Sequence, residues 1–142
     1  MSQPPAGFAL HTRSSPVTKP WEPIYAKAEP GSFHLGLFIA ESHCNGRGFL
    51  HGGVVAALAD NAMGLTLNFE RGGQLKGIVT TALSVDYVGT GRIGQWLEIA
   101  PRLVASGKSS GVLDAIISAD GATIARANTT FRVLDRSGTD GV

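Results

Sequence analysis

The hydrophobic positions divide the chain into a strand, one long helix and a further set of strands. From Phe33 to Ile39, apolar residues alternate with small or polar ones, which is the period of a half-buried strand. Residues 54–67 are apolar on nearly every side and rich in Ala and Leu, which favours a helix over a strand. Because a helix that is apolar all round must be buried, we expect this one to lie inside the fold.

About four antiparallel strands are predicted after this helix. The first places four apolar side chains on one face: Val79, Leu83, Val85 and Tyr87. The alternate residues, Thr80 among them, then belong to the opposite face. Two more strands are predicted around residues 97–103 and 113–119, and Asp120-Gly121 indicates a hairpin turn into a last strand at residues 122–134. A sheet curled around one central helix satisfies this order, so the predicted fold class is α+β.

The first part of the chain has a different character. Six of the seven prolines lie within the first 30 residues, a density that excludes a long regular element. We therefore expect residues 1–32 to form an extended or loosely ordered lead-in. Residues 33–142 are then a single domain, which is long enough to bury its own hydrophobic core.

Composition and charge exclude several classes of protein. With 43% hydrophobic residues, 16% charged residues and a formal net charge of +1, the chain is typical of a soluble globular protein. No run of Lys and Arg forms a basic stripe, so nucleic acid is not an expected partner. Cys44 is the only cysteine, which fits a reducing, cytoplasmic compartment. Neither a signal peptide nor a run of about 18 apolar residues is present, so we expect no contact with a membrane.

One carboxylate stands out within the predicted helix. Asp60 is the only acidic residue between Ser42 and Phe69, and it lies in the most apolar stretch of the chain. An ionised carboxylate on a buried helix is costly unless partners compensate it. Two interpretations remain open: a base or nucleophile held in a cleft, or an ordinary Asp at an exposed spot or interface.

A possible carbonyl-binding site comes directly before the helix, at His51-Gly52-Gly53. The first turn of a helix has unpaired N–H groups and the positive end of the dipole, which favour developing negative charge. Two glycines let a substrate carbonyl approach the backbone, as an oxyanion hole requires. The alternative is that Gly52 and Gly53 only permit a sharp turn between strand and helix.

The spacing of these two features bears on the oligomeric state. Gly52 and Asp60 are eight residues apart, or about 12 Å along a helix that rises 1.5 Å per residue. A single carbonyl group cannot contact both. If both act on the same bond, they must come from different subunits, as two antiparallel helices across a twofold axis would allow. The expectation is a homo-oligomer with composite sites at the subunit interface.

The motif that carries these residues is similar to that of a known family. The segment from Asn45 to Gly53, NGRGFLHGG, followed by Asp60, resembles the N-x-x-G-x-x-H-G-G-x6-D motif of hotdog-fold thioesterases. These belong to the phenylacetyl-CoA and 4-hydroxybenzoyl-CoA thioesterase superfamily, and the resemblance covers residues 33–134. It implies a long central helix wrapped by a curved antiparallel sheet. It also implies a homodimer, often paired into a homotetramer, without metal or cofactor.

The resemblance also implies roles for individual residues. Asp60 would be the nucleophile or general base, and the N–H of Gly52 would polarise the thioester carbonyl. Asn45 would position the attacking water or the thioester, and His51 would hold Asn45 and the turn, unless it is only a structural histidine. Thr80 would hydrogen-bond the water in part of the family, unless it is a plain surface residue.

Substrate contacts are less well defined by the sequence. Gly53 would let the thioester approach the backbone. The shape of the acyl pocket would depend on the lead-in, the helix face around Met63 and the partner subunit. Lys108, in a turn between strands, would meet the phosphates of CoA, with Arg92 and Arg102 as competing candidates. Three residues that lie close in sequence, His43, Cys44 and His51, lack the spacing of a zinc site, so no metal is expected.

The predicted function is hydrolysis of an acyl-CoA or aryl-CoA thioester to a free carboxylic acid and CoA. The main alternative is a hotdog domain that binds acyl-CoA without hydrolysing it, but such a binder would not need Asp60, Asn45 and Gly52 together. A hydratase acting on enoyl thioesters is disfavoured, because such enzymes rely on an Asp followed closely by a His. No His follows Asp60 in this chain.

Overall fold

One long helix lies against a seven-stranded antiparallel sheet in the computed structural model, which describes residues 2–134. The helix α1 spans Gly52–Glu70, somewhat more than the predicted 54–67. The strands are β1 (Ala9–Leu10), β2 (Tyr25–Glu29), β3 (Ser32–Phe38), β4 (Ile78–Tyr87), β5 (Trp96–Ser106), β6 (Ser110–Ala119) and β7 (Ala122–Val133). Their order in the sheet is β1-β2-β3-β5-β6-β7-β4. The predicted α+β hotdog architecture is confirmed.

The helix is buried on one side only. Leu58, Met63 and Leu67 are completely buried between α1 and the sheet. The opposite side, around Ala57 and Asp60, stays partly exposed in the single chain. The expectation that the helix is buried all round is therefore not met in the single chain.

Two glycines allow the layers of the fold to come close. A Cβ on Gly111 of β6 would lie 2.8 Å from Leu67 Cδ2, so α1 rests directly on the strand there. A Cβ on Gly36 of β3 would lie 2.2 Å from the Trp96 ring, which covers the glycine from the neighbouring strand β5. A side chain at either position would force the packed groups apart.

The predicted lead-in contributes to the sheet. β2 lies between Pro23 and Pro30 and pairs with β3 from Tyr25↔Gly36 to Glu29↔Ser32. The prolines fall outside the strand, so the ladder hydrogen bonds are not interrupted. The sheet thus continues across the predicted domain boundary at residue 33, while the last eight residues of the predicted domain, 135–142, lie outside the described part.

A β-bulge in β4 changes which side chains face the helix. Thr80 pairs with Phe131, whereas Leu83 pairs with Thr129, and the register shifts between Thr80 and Ala82. Because Phe131 and Thr129 are both buried on the helix side, Thr80 and Leu83 also face the helix. The prediction that Thr80 lies on the opposite face from Leu83 is wrong, since the extra residue restores it to the inner face.

The hairpin between β6 and β7 agrees with the prediction. Asp120 and Gly121 have φ angles of 48° and 84°, as a type I′ turn requires. None of the helices in the described residues has the length and apolarity needed to cross a membrane.

Candidate active site

Asp60 and Thr80 meet at the edge between the helix and β4. The Thr80 hydroxyl donates a hydrogen bond of 2.7 Å to Oδ1 of Asp60. Asp60 is partly buried on the side of α1 that the sheet does not cover. A carboxylate with one protein donor and access to solvent can still accept a hydrogen bond from water, as a base or nucleophile must.

The start of α1 is organised by His51. Its Nδ1 accepts a 2.9 Å hydrogen bond from the N–H of Gly53, so His51 is the N-cap of the helix. The N–H of Gly52 has no hydrogen-bond partner among residues 2–134. An unpaired N–H on the first turn of a helix can donate to an oxyanion. Gly53 is exposed, but its N–H is used by the cap.

Tyr87 at the end of β4 holds the same turn. Its hydroxyl donates a hydrogen bond to the carbonyl oxygen of Gly52. The ring packs so closely that a Cβ on Gly52 would lie 3.3 Å from Tyr87 Cζ. Burial raises the pKa of the Tyr87 hydroxyl, which therefore stays protonated at neutral pH. Tyr87 thus fixes the peptide group that follows the free N–H of Gly52.

Asn45 is held by its own turn. Its Oδ1 accepts hydrogen bonds from the N–H groups of Arg47 (2.9 Å) and Phe49 (3.2 Å). The His51 ring makes no hydrogen bond with Asn45 in the described residues, and its Nδ1 instead accepts from Gly53. The two residues are linked only through the backbone between them.

The predicted catalytic residues fall into two groups in one chain. Asp60 and Thr80 form one group, and Asn45, His51 and Gly52 form the other at the start of the helix. Both groups lie on or beside α1 and are about 12 Å apart along its axis, at 1.5 Å per residue. One carbonyl group cannot contact both within a single subunit.

A cleft of about 340 Å³ opens beside Asp60. Its helix wall runs from Asp60 to Asn68, and its strand wall runs from Thr80 back to Leu75. The third wall is the lead-in, residues 11–18, a segment that was expected to influence the shape of the pocket. The lead-in residues that line the cleft are His11, Arg13, Ser14, Ser15 and Thr18. The strand wall contributes one cation, Lys76.

Several predicted substrate contacts lie elsewhere. Met63 is completely buried in the core and does not line the cleft. Lys108 is exposed in the turn after β5, where Arg71 at the end of α1 donates to the neighbouring Gly107 carbonyl. The competing arginines do not line the cleft either: Arg92 lies over the Phe49 ring at 4.9 Å, and Arg102 is paired with Asp114.

The histidine and cysteine near the motif have structural partners. His43 is buried and bridges the Ala40 N–H and the Trp21 carbonyl through its two ring nitrogens. Desolvation raises the pKa of the Cys44 thiol, with Glu41 contributing to the same effect. Among residues 2–134 no three His, Cys, Asp or Glu side chains are grouped as a metal site would need.

Sequence reasoning missed Tyr87 as part of the site, and it did not identify which residues of the lead-in line the cleft. Tyr87 was predicted only as a core-facing strand residue, and nothing local in the sequence shows that its hydroxyl reaches Gly52. The polar residues of the lead-in carry no periodic pattern, so their position against the helix depends on distant packing. The cluster of Ser14, Ser15 and Thr18 between prolines is the signal that could have indicated which lead-in residues line the cleft.

A long central helix wrapped by a curved antiparallel sheet, with a carboxylate in the middle of the helix and an unpaired N–H at its start, is the arrangement of a hotdog-fold thioesterase. The family model described as the thioesterase superfamily matches residues 47–125. A candidate esterase of Pseudomonas aeruginosa is 31% identical over 134 residues, 94% of this chain and 99% of that protein. The chain belongs to the thioesterase superfamily.

Solved structures of similar proteins agree with this assignment. A hypothetical thioesterase of Streptococcus pneumoniae, solved with coenzyme A, has a TM-score of 0.72 and 26% identity. The match covers 80% of this chain and 90% of that one. A Streptococcus mutans protein bound to acetyl-CoA has a TM-score of 0.65 and 26% identity, and the match covers 72% and 81% of the two chains.

Proposed function

We propose that this thioesterase hydrolyses an acyl-CoA or aryl-CoA thioester to a free carboxylic acid and CoA, with Asp60 as the nucleophile or general base. The hydrogen bond from Thr80 to Asp60 at the mouth of a cleft is the observation that carries the proposal. Similar proteins with CoA or acetyl-CoA bound support the substrate class.

Asp60 would act in one of two ways. As a general base, it takes a proton from a water molecule whose oxygen attacks the thioester carbonyl, and it returns that proton to the departing CoA thiolate. As a nucleophile, it forms an anhydride with the acyl group and expels the thiolate, and water then hydrolyses the anhydride. In both cases Thr80 holds the carboxylate or the water in position.

The Gly52 N–H would stabilise the oxyanion that forms on the carbonyl oxygen. Because Gly52 and Asp60 of one chain are about 12 Å apart on α1, the Gly52 that serves this Asp60 belongs to a second subunit. Asn45, in the turn that leads to His51 and Gly52, would reach the thioester or the water from the same subunit.

The exposed surfaces of the chain support a dimer. Within residues 2–134, β4 pairs with β7 on one side only, and its ten residues leave a long free edge. Its apolar side chains are substantially exposed, with Leu83 at 40% and Tyr87 at 49%. A long, apolar free edge is rarely left open in a soluble protein. Pairing of this edge and of the partly exposed helix face with a second copy would cover both.

A screen of short, long and aromatic acyl-CoAs, with release of free CoA as the readout, tests the reaction. The proposal predicts hydrolysis by the parent and a large loss with Asp60→Asn. Binding of acyl-CoA without hydrolysis, in both proteins, would instead support the alternative of a non-catalytic acyl-CoA-binding domain. Sedimentation at assay concentration tests the assembly, and an active monomer would refute the composite site.

A further inference from the structure

The end of the cleft that is far from Asp60 is lined by polar and positively charged residues. The helix wall extends from Asp60 to Asn68, which is about 12 Å at 1.5 Å per residue. The strand wall runs in the opposite direction, and the N–H of Leu75 donates a 3.2 Å hydrogen bond to Oδ1 of Asn68. Asn68, Leu75 and the adjacent Lys76 therefore mark the end opposite Asp60 and Thr80.

The lead-in adds a second cation to the same end. Arg13 and His11 line this cleft. They also line a neighbouring depression formed by Asn68, Phe69 and the loop after the helix. The ring of His11 packs edge-on against Phe33 at 5.8 Å, and Phe33 in turn contacts Phe69. The aromatic contacts hold His11 near the C-terminal half of α1, and the shared depression places Arg13 at the same end.

The charges at this end are not balanced by ion pairs. Among residues 2–134, no carboxylate lies within 4.0 Å of the Arg13 guanidinium or the Lys76 ammonium group. The nearest acidic residue of the lead-in, Glu22, is hydrogen-bonded to the Ser14 hydroxyl at 2.5 Å. The only carboxylate that lines the cleft is Asp60, at the reacting end.

His11 adds hydrogen-bonding capacity rather than charge at neutral pH. Burial lowers its pKa, the charge of Arg13 lowers it further, and Glu22 opposes the change. The positive charge at the far end of the cleft is thus carried by Arg13 and Lys76. The hydroxyl groups of the lead-in wall already have partners, because Ser14 donates to Glu22 and Ser15 bonds to Thr18. The two cations favour an anion at this end, while apolar side chains such as Leu65, Ile78 and Phe131 line other parts of the cleft.

The size of the cleft decides which part of the substrate enters it. A volume of about 340 Å³ lies at the lower end of the range of about 300–1,000 Å³ for small-molecule pockets. It suits an acyl group better than a nucleotide. The cleft leads away from Asp60, the residue that would meet the thioester carbonyl, so an acyl group would extend from that carbon towards Arg13 and Lys76.

From this arrangement we infer that the preferred substrate is a CoA thioester whose acyl group ends in a second carboxylate, bound by Arg13 and Lys76. The inference rests on the proposed function, because it takes Asp60 as the reacting end of the cleft. The lead-in would then determine the specificity of the enzyme, while the helix and β4 supply its chemistry.

The test compares two series of substrates of equal chain length. Succinyl-, glutaryl- and adipyl-CoA carry the second carboxylate, and butyryl-, valeryl- and hexanoyl-CoA lack it. We expect the best member of the first series to exceed its partner in kcat/KM by about tenfold or more, as charge-assisted hydrogen bonds allow. The preference should shrink at high ionic strength, since Arg13 is exposed.

Substitutions of Arg13 and Lys76 test whether these two cations cause the preference for dicarboxylic acyl groups. Arg13→Gln and Lys76→Met should each lower kcat/KM for the dicarboxylic series about tenfold and for the other series less than twofold, whereas Arg13→Lys should retain the preference. Arg132→Gln is the matched control, because Arg132 is an exposed arginine of β7 outside the cleft. Thermal unfolding of every variant checks that the lead-in remains folded.

Three outcomes would overturn the inference. Equal kcat/KM for the two series in an active parent would refute the anion site and leave the proposed function intact. An equal rise in KM for both series in Arg13→Gln, absent with N-acetylcysteamine thioesters, would mean that Arg13 binds a phosphate of CoA. Failure to hydrolyse any thioester would contradict the proposed function itself, and the inference with it.

Discussion

The Thr80 hydroxyl donates to Oδ1 of Asp60 across 2.7 Å, although the alternation of β4 alone would turn Thr80 away from the helix. The bulge at Thr81 makes this contact possible, because it lets Thr80 and Leu83 share the inner face. Asp60 is thereby held by a hydroxyl and keeps its second oxygen for other partners. Bulges commonly aim a side chain next to an active site, and this one fits that use.

Replacing Asp60 by Asn should lower kcat by about 10² or more, because it removes the group that attacks or activates water. The amide fits the same space, and the partly buried charge is gone, so the melting temperature should equal or exceed that of the parent. Steady-state kinetics and thermal unfolding measure the two effects. Near-normal turnover would refute the catalytic role, and a clearly lower melting temperature would mean that Asp60 is structural.

Replacing Thr80 by Val should lower kcat about tenfold, since a hydrogen bond to a charged group contributes about 1.5–3 kcal/mol. Thr80→Ser is the matched control, because it keeps the hydroxyl and loses only a methyl group. Serine should therefore retain most of the parental kcat. If the Val and Ser variants had the same kcat, the hydroxyl would have no part in the reaction.

Replacing Tyr87 by Phe removes the hydrogen bond to the Gly52 carbonyl and keeps the ring that packs on the glycine. We expect a several-fold lower kcat, because the peptide group beside the free N–H is less firmly held.

The pKa of Tyr87 is raised by burial, so its neutral form is favoured in the folded protein. This contribution to stability is present below pH of about 10 and is lost above it. The stability of the Phe variant should not show this decrease at alkaline pH. Thermal unfolding of both proteins at pH 8 and pH 11 measures the difference. If the Phe variant lost as much stability as the parent, another group would be the cause.

A structural feature could be predicted from the sequence where neighbouring residues determine it, and could not where distant packing determines it. The helix and the hairpin at Asp120-Gly121 were predicted because a run of apolar residues and a two-residue turn act within their own segments. The face of β4 on which Thr80 lies was predicted wrongly, because the bulge that sets it depends on the pairing of β4 with β7. The lead-in was expected to influence the shape of the pocket, but the residues that form this wall were not identified, because the wall results from packing between residues 11–18 and the distant helix. Asp60 could be found because one carboxylate in an apolar run stands out without any structure.

Gly36 should tolerate no side chain. A Cβ there would lie 2.2 Å from the Trp96 ring, which cannot move freely because Phe8 and Phe38 pack against it at 5.0 and 4.9 Å. Gly36→Ala should therefore lower the free energy of unfolding by about 1–3 kcal/mol. Gly46→Ala is the control, since nothing lies within 4 Å of its built Cβ. Chemical denaturation of both variants measures the difference, and equal stability would show that the Trp96 ring shifts without cost.

Complementation between two inactive variants tests the two-chain site directly. Asp60→Ala lacks the base, and Gly52→Pro lacks the backbone N–H that would polarise the carbonyl. Gly52 is the first residue of α1, a position that accepts proline, although the added ring atoms would press on Tyr87. In a mixed dimer, one composite site receives both defects and the other receives neither.

A random mixture of exchanged subunits should recover roughly a quarter of the parental activity, since half the dimers are mixed and half of their sites are intact. Each variant alone must be nearly inactive, and circular dichroism must show that Gly52→Pro is folded before the mixing experiment is read. Recovery then requires that Asp60 of one chain and Gly52 of the other serve the same thioester, as their separation of about 12 Å along one helix demands. No recovery from folded, demonstrably exchanged subunits would place both groups in one chain's site, or show that one of them has no catalytic role.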